Sequence, residues 1–346
     1  MTRWGGLGNL LRAGQWWEAK IVPALAIAYA TALDGGGSGD GRLIAVLPAL
    51  AVLLLALASG GAGVSMLNDL ADRAEDARAG KANRMAGRSM TAIATIAALP
   101  LGGTIIAAWL WRGNALGLCA MAGAWAAFAA YSLPPLRLKG RGSWGILADA
   151  SGAHLFPALM AVFAIRVATS GTPPAALWTA TVAVWAMAWG ARGIIGHQIA
   201  DETHDRASGS ASIVVAWGRE KARRAAAYIA FPVECAAMVA LLWQIGHVEP
   251  WAAVGIALAL IIGRIIYFQM RPVVADNVPR YFIVGQDFYT VLLPLSLLVA
   301  AVRQSPADGV VLALHLALFP FAALSVARDA VRIITRAVRG HHLIGK

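Results

Sequence analysis

The sequence predicts an all-α protein, a polytopic transmembrane helical bundle. Of its 346 residues, 59% are apolar and only 14% are charged, whereas soluble domains have about 45–50% and about 25% of these classes. The mean hydropathy is +0.65. The apolar residues gather in ten long runs, and a helix needs about 20 such residues to cross a bilayer. These features exclude a soluble globular protein, a disordered chain, a coiled coil and a disulfide scaffold.

Ten spans are predicted from these apolar runs. In chain order they cover residues 19–33, 43–67, 90–111, 114–133, 145–165, 176–199, 225–243, 251–270, 284–302 and 309–327. Residues 1–18 precede them and carry Trp and Arg side chains, which predicts an interfacial N-terminal helix. Nine spans fill the main domain, residues 19–302. Residues 303–346 are predicted to add a tenth span and a basic cytoplasmic tail.

The connections between spans alternate in charge, and this alternation predicts the topology. Every even-numbered connection is basic, while the odd-numbered ones carry little charge among Gly, Ser, Pro and acidic residues. Basic loops remain in the cytoplasm, so both termini are expected there in a multi-pass protein of the cell (inner) membrane. The same rule explains the net charge of +11, and no nucleic-acid partner is expected.

Two short stretches concentrate the carboxylates at the ends of the second and sixth spans. They contain Asn68, Asp69, Asp72, Glu75 and Asp76, and then Asp201, Glu202 and Asp205. At 100° per residue, the three aspartates of the first stretch lie on one helix face. Like charges on one face destabilise a helix, and a hard divalent cation relieves this. The pattern predicts Mg²⁺, which prefers oxygen ligands and is typically held together with substrate phosphates.

Basic residues accompany both acidic stretches and favour an anionic headgroup. They are Lys81 and Arg84 after the first stretch, Arg206 after the second, and Arg137 and Lys139 in the loop that follows the fourth span. Arginine and lysine donate charge-assisted hydrogen bonds to phosphate oxygens. Two metal-binding stretches and these cations on one membrane face predict a site that holds a diphosphate.

The motifs resemble those of the UbiA superfamily of intramembrane prenyltransferases. The first signature of that family, NDxxDxxxD, is matched by Asn68, Asp69, Asp72 and Asp76. The second, a DxxxD followed by glycine, serine, valine and glycine, is matched by Asp201, Asp205, Gly209, Ser212, Val215 and Gly218. The loop over 131–139 also resembles the connection between the fourth and fifth helices of several members. The resemblance covers roughly residues 15–302.

The resemblance implies a nine-helix core around a cavity that opens to the lipid. Members transfer a polyprenyl group from a prenyl diphosphate to an aromatic or other lipid-soluble acceptor, with Mg²⁺ as cofactor. The implied metal ligands and catalytic residues are Asp69, Asp72, Asp76, Asp201 and Asp205. The implied diphosphate contacts are Asn68, Lys81, Arg84, Arg137, Lys139 and Arg206. Some members have Tyr-x-x-x-Lys after the fourth helix; here Pro135 takes the lysine position, so Arg137 or Lys139 is expected to take the basic role.

Polar residues within the spans add further candidates, because ionisable groups in a membrane usually face a cavity or a partner. His197 lies one helical turn before Asp201, and Asp287 begins the ninth span on the headgroup side, so both are candidate substrate contacts. Tyr131 is a candidate cation-stabilising residue. Glu234 and Arg264 are expected to form ion pairs between helices, for instance with each other.

Three other functions stay open from the sequence. The same cavity could cyclise a prenyl diphosphate without an external acceptor, as terpene cyclases of the superfamily do. It could transfer a phosphoribosyl group to a polyprenyl phosphate, although the intact second motif argues against this. A cation-coupled transporter is a different class, and its coupling site is expected near the bilayer midplane rather than at one surface. The acceptor, the prenyl chain length and the oligomeric state are not determined by the sequence.

Overall fold

The computed structural model describes residues 6–33, 43–78, 80–169 and 174–344. Its helices in chain order are α1 (Gly6–Leu10), α2 (Ala13–Trp16), α3 (Val22–Leu33), α4 (Leu47–Ala71), α5 (Arg73–Arg78), α6 (Met90–Leu110), α7 (Ala115–Ser132), α8 (Ser143–Ala150), α9 (Phe156–Thr169), α10 (Ala176–Ala200), α11 (Glu202–Ser208), α12 (Ile213–Trp217), α13 (Arg219–Ala225), α14 (Phe231–Ile245), α15 (Val248–Phe268), α16 (Leu293–Gln304), α17 (Gly309–Leu318) and α18 (Pro320–Ile344). Two three-residue strands, β1 (Arg271–Val273) and β2 (Tyr281–Ile283), pair in parallel.

Short π-helical and 3₁₀ turns connect several of these helices. The π-helical turns cover Trp17–Ile21, Ser151–Leu155, Ala226–Ala230 and Phe288–Leu292, and the 3₁₀ turns cover Leu43–Val46, Leu138–Gly140 and Pro306–Asp308. Turns of the π type are frequent at functional sites. The first two carry Lys20 and His154, whose side chains meet below.

Among the residues that the structure describes, six helices are long and apolar enough to cross a membrane, and a bent pair of helices adds a seventh span if the pair is counted as one. They are Leu43–Ala71, Met90–Leu110, Ala115–Ser132, Ser143–Thr169, Arg219–Ile245 and Val248–Phe268. Large apolar side chains such as Ile105, Trp109 and Ile266 are exposed on their outer faces, as expected for surfaces in contact with acyl chains. The predicted polytopic helical bundle is therefore confirmed.

Helix α3 lies at the centre of the bundle. All its residues from Val22 to Ala32 are buried, and it packs against α9 and α16. Alanine recurs at every second position from Ala24 to Ala32, and small side chains let neighbouring helices approach closely in a membrane. This central position brings the side chains at the start of α3 into the interior of the protein.

The buried ion pairs differ from the expected pairing. Glu234 does not bond Arg264; it accepts two hydrogen bonds from Arg192, at 2.6 and 2.8 Å, and one from the Tyr289 hydroxyl at 2.9 Å. Packing of α10 against α14 creates this pair. Arg264 instead bonds Asp287 and, at 2.8 Å, Asp329. Both arginines join helices distant in sequence, so the pairing depends on helix packing that sequence spacing does not reveal.

The tenth apolar run contains a break that the sequence did not predict. The single span expected over 309–327 is two helices, α17 and α18, which meet at 87°. Pro320 has no backbone N–H to continue a helix, and the Glu18 carboxylate accepts hydrogen bonds from the N–H groups of Phe321 and Ala322, at 2.8 and 2.6 Å. A carboxylate at this position stabilises a helix start. A new helix therefore begins here in a new direction.

Candidate active site

The two acidic motifs have the same local fold. Helix α4 ends at Ala71 and is followed by Asp72 (φ −98°, ψ 0°), and α10 ends at Ala200 and is followed by Asp201 (φ −93°, ψ 4°). A short helix follows each break, α5 in the first motif and α11 in the second. The sequence spacing therefore translates into two matching structures, each with one aspartate at the break.

The next aspartate of each motif follows one turn later. The Asp76 amide donates to the Asp72 carbonyl at 2.8 Å, and the Asp205 amide donates to the Asp201 carbonyl at 2.9 Å. Asp72 thus corresponds to Asp201, and Asp76 corresponds to Asp205.

A cavity of about 720 Å³ lies between the two motifs. The predicted site residues on its wall are Asn68, Asp72, Asp76, Lys81, Arg84, Tyr131, Lys139, His197, Asp201 and Asp205. The structure thus brings together ten residues from segments distant in the sequence. Their placement makes one end of the cavity strongly polar, with oxygen and nitrogen groups of both charges.

Another part of the cavity wall is apolar and aromatic. Trp125, Phe128 and Tyr131 recur every three residues along α7 and all line it. Glycines on α4 also shape this wall. The absence of a side chain at Gly61 makes room for the Trp16 ring, because a Cβ there would lie 2.8 Å from that ring. A Cβ on Gly60 would meet nothing within 4 Å. The cavity therefore joins a polar end to an apolar end that fits a hydrocarbon chain.

Lysine and arginine from the loop after α7 neutralise the first motif. Lys139 bonds Asp72 and lies 3.2 Å from the Glu75 carboxylate. Arg137 lies 3.3 Å from Asp72 and 2.8 Å from Glu75. Lys139 lines the cavity, whereas Arg137 does not. Of the two residues expected to take the basic role, Lys139 is the one that the structure places on the cavity wall.

The second motif is shaped by glycines and by its own charge. Gly209 (φ +71°) ends α11 and Gly218 (φ +84°) precedes α13, both in backbone regions that favour glycine. The Gln198 side chain accepts a hydrogen bond from the Ile213 amide at 3.0 Å and ties α12 to α10. Burial raises the pKa of Asp205 above its usual range, and the nearby charge of Asp201 adds to this effect. A bound cation would relieve both costs.

Asp69 is not on the cavity wall. Its side chain is only 1% exposed and forms an ion pair with Arg12, whose backbone lies between α1 and α2 in the left-handed region at φ 56°. The interfacial helix expected over 1–18 is thus two short helices over the described residues 6–16, and Arg12 and Trp16 reach the cavity. Residues 1–5 lie outside the described part. Asp69 was expected to bind metal together with Asp72 and Asp76, and the structure places its side chain against Arg12 instead.

Two further expected substrate contacts lie outside the cavity. Arg206 pairs with Glu202 at 2.9 Å, on the exposed side of α11. Asp287 pairs with Arg264. Both residues were expected to contact the substrate because their positions in the chain place them at the depth of the headgroup. Chain position does not determine the direction in which a side chain points.

A second polar group on the cavity wall includes Lys20, which the sequence reasoning did not single out. Lys20 and Asp149 both line the cavity, and the Lys20 Nζ lies 2.7 Å from the His154 Nε2. Asp149 lies within electrostatic range of Lys20 and His197. The available signal was a lysine inside the first predicted span, because an ionisable group in a span usually faces a cavity or a partner.

The residues present fit a Mg²⁺–diphosphate site. In the part of the chain that the structure describes, no three His, Cys, Asp or Glu side chains converge as a metal-binding group. Mg²⁺ does not need such a group, since it usually keeps waters and takes one or two carboxylates with substrate phosphates. Asp72, Asp76, Asp201 and Asp205 present carboxylate oxygens to one cavity, which are the donors that Mg²⁺ prefers.

Comparison with known proteins agrees with this architecture. Two solved structures of a UbiA homologue from Archaeoglobus fulgidus, one bound to DMAPP and Mg²⁺ and one bound to GPP and Mg²⁺, are each 16% identical to this chain with a TM-score of 0.50. Each match covers 91% of this chain and 98% of the homologue. No curated protein matches the sequence. The model of the UbiA prenyltransferase family matches residues 21–285, and the chain belongs to that family.

Proposed function

We propose that this protein transfers a polyprenyl group from a prenyl diphosphate to an aromatic or other lipid-soluble acceptor inside the membrane, with Mg²⁺ as cofactor. One observation carries the proposal: a single cavity joins a polar end, lined by both acidic motifs, to an apolar aromatic end. An amphipathic diphosphate needs both. The Archaeoglobus fulgidus homologue, which binds DMAPP or GPP with Mg²⁺, supports the substrate class.

The polar end would hold the diphosphate. Asp72, Asp76, Asp201 and Asp205 would hold Mg²⁺, which supplies charge stabilisation to the departing diphosphate. Lys81, Arg84 and Lys139 line the same end and donate hydrogen bonds to phosphate oxygens. These groups lower the energy of the step in which the allylic C–O bond breaks and its electron pair leaves with the diphosphate.

The aromatic wall would protect the allylic cation that remains. Tyr131 lines the same cavity as Asp72, Asp201 and Asp205, so its ring would be available to the cation formed there. Aromatic faces attract cations. Trp125 and Phe128 continue this surface away from the motifs and keep water from the cation.

The second polar group would serve the acceptor. When an acceptor atom bonds the prenyl carbon, it must release a proton. Asp149 lies on the cavity wall near Lys20 and His197, and its carboxylate can accept that proton. We propose that Asp149 is the base, and that Asp149→Asn lowers the transfer rate while diphosphate binding remains.

The first experiment measures Mg²⁺-dependent diphosphate release by the purified protein with a panel of prenyl diphosphates, with and without a lipid extract that supplies acceptors. Release that requires the extract supports transfer, and the mass of the product identifies the acceptor. Release without the extract indicates cyclisation or hydrolysis instead. Asp201→Asn should abolish release, whereas Glu220→Gln, which changes an exposed carboxylate outside the cavity, should not.

We also propose that the motifs face the cytoplasm of a cell (inner) membrane, because the basic connections lie on the motif side. A cysteine placed at the exposed Arg88, in a chain without Cys119 and Cys235, should resist an impermeant maleimide in intact cells. A cysteine at the exposed Gln304 should react. The reverse labelling would overturn this orientation.

A further inference from the structure

Helix α18, which lies beyond the matched family region, crosses the bundle on the motif side. Its start is held by Glu18, two residues before the cavity residue Lys20. Further along, Asp329 bonds Arg264, and Arg336 bonds the Tyr267 carbonyl at the end of α15. The segment after α15 lies beside the second motif, because Asp276 bonds Arg219 at 2.9 Å. Both attachments of α18 are thus at the bundle end that holds the motifs.

One face of α18 is closely packed. Val326 is buried with Leu260 and Val291. A Cβ on Gly263 would lie 2.7 Å from the Ile333 side chain, so α15 and α18 approach closely at this glycine. The packed face and the Asp329–Arg264 pair determine which other faces of the helix point away from the protein.

Two outward surfaces remain on α18. The apolar stripe consists of Leu324, Val331, Ile334 and Val338, which are 50%, 62%, 62% and 55% exposed. The arginine row consists of Arg328, Arg332, Arg336 and Arg339, all exposed. At 100° per residue, each set covers about 80° and the two sets are adjacent. An apolar stripe beside a basic row is the pattern of a helix that lies in a membrane interface.

The arginine row has few carboxylate partners. In the described residues, no ion pair involves Arg328, Arg332 or Arg339, whereas the exposed Arg223 and Arg224 both pair with Glu220. The 87° bend before α18 turns this helix away from the direction of α17. Unpaired arginines beside an exposed apolar stripe leave a surface complementary to anionic headgroups above acyl chains.

We propose that α18 is an interfacial helix that binds anionic phospholipids on the motif side of the bilayer. The apolar stripe enters the boundary of the acyl chains, and the arginine row bonds lipid phosphates. The arginines also attract the negative surface of the cytoplasmic leaflet. This inference does not depend on the reaction that the cavity catalyses.

The test uses the full-length protein in nanodiscs. Ser325, which is exposed beside the arginine row, is replaced by cysteine in a chain without Cys119 and Cys235, and a fluorophore is attached. Energy transfer is measured to headgroup-labelled phosphatidylglycerol and to headgroup-labelled phosphatidylcholine. The expected result is an enrichment of phosphatidylglycerol near the label that salt weakens.

The variants identify the cause of that enrichment. Each of Arg328→Gln, Arg332→Gln and Arg339→Gln should lower it by about fivefold, and the triple variant should abolish it. Arg223→Gln with Arg224→Gln, the matched control, should leave it unchanged.

Three results would overturn the proposal. The first is equal energy transfer to both lipids, and the second is an unchanged lipid preference in the single and triple variants. The third is energy transfer to lipid that falls as the protein density rises, which would indicate that a second copy of the chain covers this surface. The single variants keep the test valid if the triple variant does not fold.

Discussion

Two aspartates of the first motif have different environments although they are the same residue type. Asp69 and Asp72 are three positions apart, yet Asp69 is buried against Arg12 while Asp72 lies on the cavity wall beside Lys139. The same local pattern thus contributes one carboxylate that stabilises the fold and one that is available to a cation. The difference comes from Arg12, which is distant from Asp69 in the sequence, so the spacing within the motif does not predict their contact.

This difference can be measured. Asp72→Asn should reduce diphosphate release by at least about 100-fold, because it removes a charge at the reacting end. Asp69→Asn should lower the free energy of unfolding by about 1 kcal/mol, because it leaves the partly exposed Arg12 without its partner. It should leave the Mg²⁺ concentration for half-maximal rate unchanged. Thermal unfolding in detergent and Mg²⁺ titration provide the two readouts.

The control for this prediction is the double variant Arg12→Gln with Asp69→Asn. It should recover part of the lost stability, since neither charge is then left alone. If Asp69→Asn raises the Mg²⁺ requirement as much as Asp72→Asn does, Asp69 is a ligand after all and the role assigned to Arg12 is wrong.

Gly60 offers a second test at the residue scale. It lines the cavity, and a Cβ there meets nothing within 4 Å. Gly60→Leu should therefore fill cavity space without a clash and shift the preference toward shorter prenyl diphosphates, with a KM for long chains raised by about tenfold or more for two or three displaced methylenes.

Gly102 provides the matched control for this change. A Cβ there also meets nothing within 4 Å, but the residue is outside the cavity. Gly102→Leu should leave the chain-length profile unchanged. An identical profile for both variants would mean that the chain does not extend past Gly60.

At the scale of elements, the two acidic motifs share the same local structure. Each combines a 25-residue helix, α4 or α10, with a break at an aspartate and a short helix that carries the next aspartate. Their positions at the helix ends bring four carboxylates to one cavity. Each short helix is followed by a glycine with positive φ, Gly80 at +65° in the first copy and Gly209 at +71° in the second.

Gly209→Ala tests this element. A side chain at φ +71° strains the backbone by about 1–2 kcal/mol and should move Asp205, so we expect a lower melting temperature and a higher KM for the diphosphate. Gly193→Ala changes a helical glycine whose Cβ meets nothing within 4 Å, and it should keep or raise the stability. Equal effects of the two variants would show that the turn does not position the site.

At the scale of the whole molecule, a cation bound among the four cavity carboxylates would reduce the repulsion between the two motifs. Mg²⁺ with inorganic diphosphate should therefore stabilise the fold, by about 2.7 kcal/mol when the ligand is at 100 times its Kd. The melting temperature should rise in the native protein and in Glu220→Gln but not in Asp201→Asn, and EDTA should reverse the rise. A similar rise in Asp201→Asn would place the diphosphate elsewhere.

The sequence by itself determined the helical membrane bundle and both motifs. Apolar runs must form helices in a bilayer because backbone polar groups there need internal partners, and the ten runs are indeed helical for most of their length. Local spacing predicted that Asp72 and Asp76, and likewise Asp201 and Asp205, lie one turn apart. These features depend on neighbouring residues, and local rules predict them well.

Only the tertiary structure decided which charges meet. The pairs Arg12–Asp69, Arg192–Glu234 and Arg264–Asp287 join residues from different helices, and the approach of Lys20 to His154 has the same origin. The start of α18 after Pro320 is bonded by Glu18, far away in the chain. Such contacts follow from helix packing, in which distant segments select one another by shape and charge, and a hydropathy pattern carries no information about that selection.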